Sequence, residues 1–115
     1  MYQFSYAEIV DDAAEDSRAR ERRALDRSIE LMEAAEAKGP RSHETIEALL
    51  FVRRLWTMLI EDLGSPENSL PQDLRASLIS IGLWLLQEAE RIRTEEVGDF
   101  KSMIDITTII RAGLK

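Results

Sequence analysis

Leu74-Arg-Ala-Ser-Leu-Ile-Ser-Ile-Gly-Leu-Trp-Leu-Leu-Gln87 is the stretch whose reading decides the fold. Pro71, just before it, suits the first turn of a helix, where a missing N–H costs nothing. Between Leu78 and Leu86 the segment is apolar nearly all the way round, which predicts a central helix. Gly82 interrupts this run and costs about 1 kcal/mol against Ala in a helix. A close helix crossing at Gly82 would compensate. Beyond Gln87 the chain turns charged, with Ala89 and Ile92 holding the inward side, so the helix is expected over 71–97.

Upstream, Ser42 can cap a helix over 43–63. Its apolar residues, from Ile46 through Leu55, Trp56 and Leu59 to Leu63, cover more than one narrow stripe, and Gly64 stands at its C-terminal end. Before it, Leu25, Ser28, Ile29, Met32 and Ala35 recur at spacings of three and four, a single stripe suited to covering one side of a core. Lys38 favours the negative helix end, and Gly39-Pro40 stops the helix. Ser5 and Glu8 form a capping box, and Asp16 or Ser17 can cap anew. The N-terminal region is therefore read as helices over 5–14 and 17–38, with one continuous helix as the alternative. Downstream, Gly98 closes the helix and Asp99 can cap a last one over 100–112. That helix carries Met103, Ile104, Ile106, Ile109 and Ile110, and it is too short to be stable alone. The expected fold class is all-α: a compact single domain over 1–115, with four main helices plus a short N-terminal one.

The 115 residues are 44% hydrophobic and 32% charged, with a formal net charge of −7 and no cysteine. That balance supports a core and excludes disulfides, thiolate metal sites and cysteine nucleophiles. The acidic charge disfavours direct nucleic-acid binding. The basic run Arg18, Arg20, Arg22, Arg23 and Arg27 is interleaved with Asp16, Glu21, Asp26 and Glu30, as in a charge-paired helix face. The start of the chain shows neither a basic region nor a long apolar one, and no apolar run approaches the roughly 20 residues of a membrane span. A cytoplasmic protein without membrane contact is expected.

Catalytic signals are missing. His43 is the sole histidine, and it stands alone at a helix start. There is no nucleophile elbow, no phosphate-cradling glycine loop and no calcium-binding loop. The expectation is a non-enzyme without cofactor or metal. The apolar surplus has two readings. In one, both termini, with Tyr2, Phe4 and Tyr6 at one end and the isoleucine-rich helix at the other, close the chain's own core. In the other, a groove between helices takes an amphipathic partner helix. On the second reading the candidate partner-binding residues are Trp56, Leu59, Trp84, Met103, Ile106 and Ile110, with Arg53 and Arg75 beside apolar faces. Met32, Met58 and Met103 suit either an adaptable groove or core filling.

Several segments in order carry a family resemblance: Tyr6, Glu21-Arg-Arg-Ala-Leu25, Leu55-Trp-Thr-Met-Leu-Ile-Glu-Asp-Leu63, Asn68-Ser-Leu-Pro71, Leu74 to Trp84, and Ile104-Asp-Ile-Thr-Thr-Ile-Ile110 with Gly113-Leu114. Together they resemble the FlaF family of flagellar regulatory proteins across essentially the whole chain. The Asp16-Ser-Arg18 stretch lacks the proline expected there in relatives. The resemblance implies a cytoplasmic flagellin-binding chaperone or adaptor that regulates flagellin synthesis and flagellum assembly. It also implies a FlbT-like regulator as a possible partner, through which control of flagellin messenger RNA is the alternative role.

Overall fold

The computed structural model describes residues 6–95 and 99–114, with side chains described from Ser17 onward. The chain forms four helices: α1 (Tyr6–Lys38), α2 (His43–Leu63), α3 (Gln72–Glu95) and α4 (Lys101–Gly113). No strand occurs among the described residues. The expected break between helices at 5–14 and 17–38 is absent, because α1 runs unbroken. Neither Gly nor Pro lies between Tyr6 and Lys38 to interrupt it. At 1.5 Å per residue it spans about 50 Å, close to the longest dimension of the molecule, 56 Å. The proposed Ser5–Glu8 capping box, Tyr2, Phe4, the Tyr6 side chain and Gly98 lie outside what is described.

The turn between α1 and α2 is built from local chemistry. Gly39 adopts φ +99, which only glycine enters without strain, and its N–H donates to Ala35 O at 2.9 Å. Ser42 Oγ accepts from the Thr45 N–H at 3.2 Å, while the Ser42 and Thr45 hydroxyls both donate to Gly39 O at 2.7 Å. One small cluster thus ends one helix and begins the next. At the other end of α2, Gly64 terminates the helix in right-handed geometry, its N–H donating to Ile60 O at 3.0 Å. Asn68 ties the following loop to Asp62, and Arg75 Nη1 reaches the Leu63 and Ser65 carbonyls at 3.4 and 3.5 Å. Pro71 sits just ahead of α3, its carbonyl accepting from the Arg75 N–H.

Successive helices run antiparallel. The order in space is α3–α2–α1–α4, so α1 and α2 are central and α3 and α4 lie at the edges. This corrects the expectation that the Leu78–Leu86 segment is central. α3 packs chiefly on α2, and Leu83 and Trp84 remain 50% and 36% exposed. Gly82 sets how closely α3 approaches. A Cβ built there would lie 2.8 Å from Trp56 Cε3 and 3.0 Å from Ile60 Cδ1, so the glycine is a requirement of the crossing, as its sequence position suggested.

The core joins Leu25, Leu31, Met32 and Ala35 of α1 to Ala48, Val52, Leu55 and Trp56 of α2. Leu85, Ala89 and Ile92 of α3 and Phe100 and Met103 of α4 complete it. α4 is fixed to α1 at both ends by charge. Glu36 Oε2 accepts the Phe100 N–H at 2.7 Å, satisfying a donor at the positive helix end. Arg111, in the last turn, donates to Asp26 Oδ1 at 2.7 Å. Asp99 contributes by accepting the Lys101 N–H at 3.0 Å. The last helix is therefore part of the core.

Candidate partner-binding surfaces

Two concave surfaces follow from this layout. The first is a groove of about 710 Å³ between α2 and α3. Ile46, Leu49, Leu50, Arg53 and Thr57 line it from α2, and Leu86, Ala89, Glu90 and Arg93 from α3. Ile46 and Leu50 are 64% and 45% exposed. They recur at i and i+4, so both fall on one helix face. That face is a second stripe, rotated from the core stripe of Ala48, Val52 and Leu55. It stays open because α3 covers only one flank of α2. Arg53 rises beside these residues and makes no ion pair among the described residues, its charge felt at a distance by Glu90. Arg93 bonds Glu90, and this contact holds the Glu90 carboxyl below its ordinary range.

The second surface is a cleft of about 370 Å³ at the end of the bundle where the α2–α3 loop lies. Leu25, Trp56, Leu59, Leu63, Leu70, Leu78, Ile110 and Leu114 form its apolar walls, and Arg18, Glu21, Asp62 and Glu67 stand among its polar lining. Burial raises the Glu21 carboxyl above its usual value. Neighbouring Asp62 adds to the rise, and Arg18 and Arg20 partly offset it.

The structure scatters the residues singled out from sequence. Trp56 and Met103 are core residues, 2% and 1% exposed, and present almost no surface in this fold. Leu59 and Ile110 are half-buried and meet in the second cleft. Ile106 is half-buried against the core. Trp84 lies on the outer side of α3, Arg53 in the first groove, and Arg75 serves as a clamp on the end of α2. Met32 joins Met103 inside, while Met58 is exposed outside both surfaces. The basic run behaves as a paired face at Arg27, which meets Glu30 and Glu47 at 3.2 and 3.8 Å. His43 is exposed at the start of α2.

Ile46, Leu50 and Leu86 went unremarked as surface residues. The signal for the first two was available, since a helix wheel places them off the core stripe. Glu21 and Asp62 carried no such signal, because their proximity depends on how α1 meets the end of α2. Among the described residues no group of His, Asp or Glu is arranged to hold a metal ion, and no helix is long and apolar enough to cross a membrane.

The family model described as "Flagellar protein FlaF" matches residues 2–114. No curated protein and no solved structure matches the chain.

Proposed function

The chain belongs to the FlaF family of flagellar proteins, and from that premise we propose that it is a cytoplasmic flagellin-binding chaperone or adaptor. In that role it regulates flagellin synthesis and flagellum assembly through protein–protein binding, without catalysis. The α2–α3 groove carries this reading. It is an elongated apolar floor, open to solvent, between two antiparallel helices. An amphipathic helix laid along it buries Ile46 and Leu50, forming a local three-helix packing. Flagellin polymerises through amphipathic terminal helices, which need such cover before export. Arg53, without an ion pair among the described residues and lining the groove, favours a carboxylate beside the partner's apolar stripe. Net charge elsewhere on the chain acts mainly on encounter rate and solubility.

The test is co-elution of purified flagellin with the chain and with its Ile46→Asp/Leu50→Asp variant. Both side chains are exposed in the free fold, so the variant keeps its helical circular dichroism. Burying one such side chain contributes about 1.5–3 kcal/mol, so affinity should fall by a factor of about 10 or more. Undiminished binding by the folded variant would remove the groove from the proposal, and no binding by the native chain would remove the chaperone role.

A further inference from the structure

The cleft at the loop end of the bundle has a chemistry the groove lacks. Trp56 is 2% exposed, and its indole N–H has no hydrogen-bond partner among the described residues. Its ring packs against Gly82 of α3 through Cε3. Trp56 also lines the cleft, together with Leu25 and Ile110. Buried donors are almost always satisfied, and this one belongs to a side chain that borders the cleft. At the rim, the carboxylates of Glu21, Asp62 and Glu67 outnumber their cations, Arg18 in the lining and Arg20, which acts on Glu21 from outside it. None of the three makes an ion pair among the described residues; Asp62 accepts the Asn68 amide. The rim is thus short of a cation and the floor short of an acceptor.

We infer that this cleft receives the C-terminal turn of an amphipathic helix from a partner protein, bearing Lys or Arg in that turn. A helix C-terminus leaves its last carbonyls without intrahelical donors, and its dipole favours cationic side chains. It therefore brings an acceptor for Trp56 Nε1–H, a cation for Glu21 and Asp62, and apolar side chains for the leucine walls in one unit. The cation also relieves the like-charge repulsion between Glu21 and Asp62, which burial aggravates at Glu21. The site is distinct from the α2–α3 groove and rests on the reading that the chain binds helical partners.

The test uses the ¹⁵N-labelled full chain, whose two tryptophans give two indole signals, assigned with Trp84→Phe. The probe is a short, amidated helical peptide of Leu, Ala and Lys with Lys in its last turn. The controls are the same composition with Lys moved to the first turn, and a peptide with Glu in the last turn. The Trp56 indole proton should move downfield with the first peptide and much less with either control, while Trp84 stays in place. Glu21→Gln/Asp62→Asn should weaken binding by a factor of about 3–10. A Trp56 signal that stays fixed as peptide is added, or equal affinity for all three peptides, overturns the inference. Flagellin co-elution without peptide binding would sink this site alone; peptide binding without flagellin co-elution would sink the chaperone reading alone.

Discussion

Replacing Gly82 with Ala should destabilise the fold, although alanine is the better helix former. The added methyl would lie 2.8 Å from Trp56 Cε3, 3.0 Å from Ile60 Cδ1 and 3.1 Å from Ile60 Cγ1. Carbon atoms rest at about 3.5–4.0 Å, so the Trp56 ring must retreat by several tenths of an ångström or α3 must lift. The Ile60 tip can turn aside, but Trp56 is a buried core residue, 2% exposed, with little room to retreat. Overpacking of this kind costs about 1–3 kcal/mol, against about 1 kcal/mol regained from helix propensity. The net loss should be about 1 kcal/mol, read as a lower urea midpoint and a shifted Trp56 emission. Gly113→Ala supplies the control, because nothing lies within 4 Å of a Cβ there, and it should be neutral or stabilising. If Gly82→Ala stabilises as much as Gly113→Ala, the close crossing of α2 and α3 is wrong.

Three further perturbations test other contacts. Glu36→Ala removes the carboxylate that accepts the Phe100 N–H; the cost should be about 1–2 kcal/mol, and amide exchange should quicken at Phe100 and Lys101 before it does at Leu85. Ser28→Ala removes a buried hydroxyl that has no partner among the described residues and should raise stability by about 1 kcal/mol, so a lowered denaturation midpoint would mean the hydroxyl is satisfied. Glu21→Gln is pH-dependent: because burial raises its carboxyl, the folded state binds the proton more tightly than the unfolded one, and stability is lost as pH rises from the unfolded carboxyl value through the folded one. The variant should therefore melt higher than the native chain at neutral pH and equally below about pH 4, and an advantage of the same size at both pH values would count against this origin.

Local chemistry was legible in the sequence, and relations between helices largely were not. Gly39 and Ser42 announce the α1–α2 turn because a positive φ and an N-cap each demand particular residue types. Gly82 announces a crossing because a glycine inside an apolar helix has little other use. The edge position of α3 was not legible. An all-round apolar segment reads the same whether a neighbouring helix covers its outer side or a partner does, and here Leu83 and Trp84 are left uncovered by the chain itself. The two tryptophans look alike in sequence, yet Trp56 falls on the core stripe of α2 and Trp84 falls off that of α3. The Glu36–Phe100 bond joins residues 64 apart, and no pattern along the chain marks it.

Site-specific photocross-linking in the complex with flagellin tests the central claim most directly. A photoreactive side chain at Leu50, in the α2–α3 groove, should capture flagellin. One at Ile109, more open to solvent than Leu50 but on α4, should not. Capture from position 109 with none from position 50 would contradict the proposal that the open flank of α2 and α3 holds the filament subunit.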